Sequence, residues 1–97
     1  MFIKGDVRKF IRTPFVTPVK YSVSVLDMRE LKRIHDTAVS LDISAGGLGI
    51  LTDHPLEEGH VLTFEDETKI NNIKSRTAVV KWTGIIDNKY RVGLMFV

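Results

Sequence analysis

The 97-residue chain contains no cysteine. That excludes disulfides, thiolate zinc sites and cysteine nucleophiles, and makes a reducing compartment the default expectation. No apolar run approaches the roughly 18–20 residues that span a bilayer as a helix. The opening residues Met1-Phe2-Ile3-Lys4-Gly5-Asp6 lack the apolar stretch of a secretory leader. A cytoplasmic protein with no membrane contact is therefore expected. Internal repeats, low-complexity tracts and long linkers are missing too, which leaves one domain around one core. His35, His54 and His60 show no metal-ligand spacing, so neither a metal nor another cofactor is expected. Gly46-Gly47-Leu48-Gly49 is followed by neither the Lys-Ser/Thr pair nor the long helix of a phosphate loop. Ser44 has no histidine near it in sequence, and nothing supports a nucleophile there. The chain reads as a binding protein, not an enzyme.

What is present is alternation. Val19, Tyr21, Val23 and Val25 fall on one face of a strand, with Lys20, Ser22 and Ser24 on the other. Val39, Leu41 and Ile43 alternate with Ser40, Asp42 and Ser44, which assigns the first set to the core and turns Asp42 and Ser44 outward. Leu48 and Ile50, Leu62 and Phe64, and Val92, Leu94 and Phe96 continue the theme. Ala78, Val80 and Trp82 do the same, and their spacing assigns Trp82 to the core. About six short strands with turn signals between them predict an all-β barrel or sandwich. Asp87-Asn88 is expected to make a hairpin turn, and Asp53-His54-Pro55 to start a loop. Residues 27–36 hold many helix formers but only Leu31 and Ile34 as core candidates, so a long hairpin or a helical turn within it is expected. Glu65-Asp66-Glu67 reads as a solvated loop.

Charge is unevenly placed. Residues 1–12 hold Lys4, Arg8, Lys9 and Arg12 against Asp6, whereas residues 13–97 hold ten basic and eleven acidic residues. A basic arm on a near-neutral body suits an anionic partner, although short basic termini are often only solvated tails.

Two short motifs carry the functional argument. Arg8 and Arg12 stand four apart before the first strand. Asp42-Ile43-Ser44-Ala45-Gly46-Gly47 closes the second. A carboxylate accepts from adjacent N–H donors such as those on a guanine Watson–Crick edge, and a hydroxyl can donate or accept beside it. Arginine reaches guanine O6 and N7, and also phosphate. Gly47 lacks a Cβ, which permits a sharp turn or a close ligand. The plain alternative is that Asp42 and Ser44 only cap a turn through local backbone bonds.

In order and spacing, Arg8-x-x-x-Arg12 followed by Asp42-x-Ser44-x-x-Gly47 resembles the two-part signature of PilZ domains. The resemblance extends to Arg12-Thr-Pro-Phe-Val-Thr-Pro-Val-Lys-Tyr21, Leu41 to Ile50, Leu56-Glu-Glu-Gly59, Val79-Val-Lys-Trp82 and Arg91-Val-Gly-Leu-Met-Phe96. It implies a bacterial, six-stranded antiparallel β-barrel over residues 13–97 that binds cyclic di-GMP outside the barrel. It further implies that residues 1–12 form a flexible arm folding over the ligand. Arg8 and Arg12 would touch guanine and phosphate, with Lys9 a possible addition. Asp42 and Ser44 would meet a guanine edge, Gly47 would keep the surface open, and Trp82 would be a possible contact. The implied function is a second-messenger receptor that signals through a downstream protein or a change of oligomeric state. A mixed guanine–adenine cyclic dinucleotide fits the same residues. Two alternatives stand beside this reading. One is a ligand-independent adaptor. The other is a small nucleic-acid-binding barrel, disfavoured because strand aromatics suited to stacking are not evident.

Overall fold

A computed structural model describes residues 13–65 and 75–97. The described residues form seven strands and no helix. In chain order they are β1 (Thr13–Pro14), β2 (Pro18–Asp27), β3 (Glu30–Ile43), β4 (Gly47–Thr52), β5 (Val61–Phe64), β6 (Thr77–Ile86) and β7 (Lys89–Phe96). Every pairing is antiparallel. The order β3-β2-β5-β6-β7-β4 closes on itself through the β3–β4 ladder. The result is a closed six-stranded antiparallel barrel, with β1 as a short extra strand on β3. Closure removes the free sheet edges that an open sheet of this size would leave.

The alternating sets build the interior. Val19, Tyr21 and Val23 of β2, Leu48 and Ile50 of β4, Leu62 of β5, Ala78 of β6 and Val92 of β7 have no solvent exposure. Phe64 packs edge to face on Phe96, with ring centroids 6.2 Å apart. The Tyr21 hydroxyl sits 2.9 Å from Thr52 Oγ1, and the Thr52 hydroxyl donates to Asp36 Oδ2 at 3.3 Å. Burial, opposed by the Thr52 bond and joined by the nearby Asp36 charge, pushes the Tyr21 phenol up to about 12.

Residues 27–36 form a plain hairpin with no helical turn. Met28 and Arg29 both have positive φ, as do Asp87 and Asn88 at the second hairpin tip. Two positive-φ residues make the tight turn whose twist matches that of the flanking strands. Some strands are longer than the short ones expected, and β3 alone runs for 14 residues.

Two strands depart from simple alternation, and both departures matter. Along β3, Ser40 pairs with Ile50 but Asp42 pairs with Gly49, so Leu41 is an extra residue. This bulge reverses the inward face. Before it Ala38 and Ser40 point inward, and after it Ile43 does. Val39, expected in the core, is 43% exposed. Ser40 is fully buried because its hydroxyl donates to the Phe15 carbonyl and accepts from the Thr17 N–H, bridging the break between β1 and β2. Along β6, Val80 pairs with Leu94 but Trp82 pairs with Gly93, which makes Lys81 the extra residue. Trp82 therefore lies outside the barrel, contrary to the reading from its spacing with Ala78 and Val80.

Candidate functional site

The two bulges bring one row of residues to the outer surface. Pro14 pairs with Asp42, Asp42 with Gly49, Gly49 with Gly93, and Gly93 with Trp82. Directly opposed residues on neighbouring strands share a face. The row crosses β1, β3, β4, β7 and β6, and its middle is two glycines with no side chains.

Neighbouring groups lie close over those glycines. A Cβ on Gly49 would come within 2.8 Å of Asp42 Oδ1, so the carboxylate rests over that strand. A Cβ on Gly93 would meet the Trp82 indole at 2.2 Å, so the ring lies flat on β7. Trp82 remains 43% exposed, and the Arg91 guanidinium stands 5.8 Å from its ring centroid. That geometry suits a cation–π contact. Three strand spacings separate β3 from β6, about 14 Å along the sheet. The surface offers hydrogen-bond acceptors at one end and an aromatic face with a guanidinium at the other, and the two glycines between them let the carboxylate and the indole lie close against the strands. Such a surface can seat a flat, donor-bearing, anionic ligand.

Ser44 is not part of the row. It follows the last residue of β3, so strand alternation no longer aims it. Its hydroxyl oxygen accepts from the Gly46 and Gly47 N–H groups at 3.3 and 3.2 Å, and its own N–H donates to the Gly47 carbonyl at 2.9 Å. The side chain is largely buried. The outward orientation expected from its spacing with Asp42 is therefore incorrect, and the local turn geometry applies instead. Gly47 is also held by the protein itself. A Cβ there would fall 2.1 Å from the Leu94 carbonyl oxygen on β7.

Arg8, Lys9 and Arg12 lie outside the described residues. Thr13, the first described residue, pairs with Ile43, so the chain that carries them joins the barrel beside Asp42. Gly49, Gly93 and Arg91 were missed in the sequence. Glycines inside strand patterns do signal close approach of another group. That Gly49 and Gly93 face each other depends on the β4–β7 register, which the sequence does not display. The exposed indole also corrects the reading that the strands present no aromatic for stacking. Among the described residues, no group of His, Asp and Glu gathers that could hold a metal ion. No helix there is long and apolar enough to cross a membrane.

The described residues thus form a closed β-barrel with Asp42 and Trp82 on its outer surface. The family model of the PilZ domain matches residues 6–97, nearly the whole chain, and the chain belongs to the PilZ family. PilZ domains are cyclic di-GMP-binding receptor domains and not enzymes. No curated protein matches the chain.

Proposed function

We propose that this protein is a receptor for cyclic di-GMP or a related guanine-containing cyclic dinucleotide. The observation that carries the reading is the outer row in which Asp42 and Trp82 flank Gly49 and Gly93. A guanine edge presents N–H donors to Asp42, a second planar face suits the indole, and the two glycines let the carboxylate and the indole lie close to the sheet. Ser44 contributes chiefly by shaping the turn that presents Asp42. Its lone pairs are occupied by the Gly46 and Gly47 amides, so it offers a ligand only its O–H hydrogen. Arg8 and Arg12, with Lys9 beside them, supply the cations for phosphate and guanine from the segment joined at Thr13. Binding orders residues 1–12 against the barrel of residues 13–97, and a downstream protein in the cytoplasm reads the changed surface.

Calorimetric titration with cyclic di-GMP, a mixed guanine–adenine cyclic dinucleotide and cyclic di-AMP tests the reading. The expected result is saturable binding of the guanine-containing ligands, lost by about tenfold or more in Arg12→Ala, as befits hydrogen bonds to a charged group. Binding of none of them overturns the proposal. Trp82 and Arg91 also suit a stacked base of single-stranded nucleic acid. A salt-sensitive shift with an oligonucleotide, not competed by cyclic di-GMP, would favour that second reading.

A further inference from the structure

The two ends of the outer row differ in hydrogen-bonding character. The Asp42 carboxylate offers only acceptors. At the other end, the rungs on either side of Trp82 and Gly93 are Val79 with Met95 and Gly84 with Arg91. Val92 and Leu94 are buried, so Arg91, Gly93 and Met95 face outward, and the residues opposite them share that face. None of these positions carries a carboxylate. The charge here is positive. Lys81, the extra residue beside Trp82, is exposed, and so is Arg91. Lys32 and Lys89 are tied to Asp27 and Asp53 at 2.9 and 2.6 Å. Lys81 and Arg91 form no such ion pair among the described residues. The Arg91 guanidinium lies over the indole, 5.8 Å from the ring centroid. Gly93 closes the inner face of the ring, so the guanidinium borders the outer one. Trp82 remains well exposed, which leaves part of that face open beside the guanidinium.

We propose that Arg91 makes the Trp82 end selective for guanine, so that the protein prefers cyclic di-GMP to the mixed guanine–adenine cyclic dinucleotide. The inference rests on the cyclic dinucleotide reading above and adds which edge of which base each end takes. A base stacked on the open part of the indole lies in the same layer as the guanidinium and turns an edge to its N–H fork. Guanine has two adjacent acceptors on one edge, O6 and N7, whereas adenine has N7 beside an N–H donor. The planar fork of arginine matches the first pattern with two hydrogen bonds and sets donor against donor in the second. Lys81 neutralises the phosphate next to that base. Asp42 takes the N–H edge of the other guanine. The mixed ligand has one guanine, and in either orientation one end meets adenine. At Arg91 the adenine amino group faces a donor. At Asp42 the adenine N1 acceptor faces an acceptor.

Calorimetric titration of the full chain with cyclic di-GMP and with the mixed dinucleotide of the same linkage tests the assignment. The wild type is expected to bind cyclic di-GMP about tenfold more tightly, as one bidentate arginine–guanine pair supplies. Arg91→Ala should bring that ratio to about one, chiefly by weakening cyclic di-GMP, because the mixed ligand then gives its guanine to Asp42 without loss. Arg91→Lys keeps the charge but not the fork, so it should lose the preference as well. Lys81→Ala should weaken both ligands alike and keep the ratio. A wild type that binds the two ligands equally overturns the inference, as does an Arg91→Ala variant with the wild-type ratio. Either outcome leaves the receptor reading standing. A wild type that binds neither ligand overturns the receptor reading and this inference together, and the first titration shows it.

Discussion

Asp42 and Ser44 stand two residues apart and do different things. Asp42 lies on a strand, in register with Gly49, and its carboxylate rests on the outer surface of β4. Ser44 lies one residue beyond the strand and is tied into the turn by two glycine amides. The same contrast holds for the glycines. Gly47 has another strand's carbonyl against it, whereas Gly93 has only a side chain against it. Asp42 holds its carboxylate on the outer surface of the sheet, whereas the polar groups of Ser44 are taken up by the turn. Residues of one short motif can thus be divided between recognition and the scaffold that holds it.

The sharpest way to break this comparison is Gly47→Ala. Its Cβ would lie 2.1 Å from a backbone oxygen that cannot swing aside, so β4 and β7 must part locally. A stability loss of about 3 kcal/mol is expected by analogy with overpacked cores, read from urea denaturation. Unchanged stability would show that the turn does not depend on the missing Cβ.

Asp42→Ala should separate binding from folding. An affinity loss of about 1.5–3 kcal/mol for cyclic di-GMP is expected, with little change in melting temperature. Ser44→Ala should behave the other way. It leaves the Gly46 and Gly47 amides without their acceptor, so about 1 kcal/mol of stability should go while affinity falls less than in Asp42→Ala. Calorimetry and melting on both variants decide the matter, and a reversed pattern would exchange their roles.

Gly93→Ala is expected to be milder than Gly47→Ala. The indole it displaces is 43% exposed and can rotate into solvent, so a stability change of no more than about 1 kcal/mol is expected. The Trp82 fluorescence maximum should shift in the ligand-free protein, because the ring leaves the surface of β7. An unshifted spectrum would mean that the ring does not rest on Gly93 in solution.

A further test concerns the interior. Tyr21 titrates at about 12 instead of 10.0, chiefly because burial disfavours the phenolate. The folded state holds this proton more tightly than the unfolded state. Its contribution to stability is therefore complete below pH 10 and is lost as pH rises towards 12. Tyr21→Phe should flatten that part of the alkaline unfolding curve, and an unaltered curve would assign the effect elsewhere.

Much of the barrel was legible from residue order. Alternation located the inward sets Val19-Tyr21-Val23, Leu48-Ile50, Leu62-Phe64 and Val92-Leu94, because a strand buries every second side chain wherever one face meets a core. Asp87-Asn88 was legible as a turn, since short polar side chains tolerate positive φ. Alternation failed at Val39 and Trp82, where one inserted residue in a ladder reverses the faces beyond it. It failed again at Ser44, where the strand had ended.

The order of residues by itself determined an all-β chain with these core positions, and it placed Asp42, Ser44 and Gly47 within one short motif. Only the tertiary structure decided that Leu41 and Lys81 are the extra residues, and hence that Asp42 and Trp82 reach the same outer row. A bulge belongs to a pair of strands: it exists only where two residues oppose one, and the opposing residue is supplied by a distant part of the chain. For the same reason Gly49 and Gly93 could be seen as glycines in strands but not as a shared floor, because the β4–β7 register that joins them spans residues far apart in sequence.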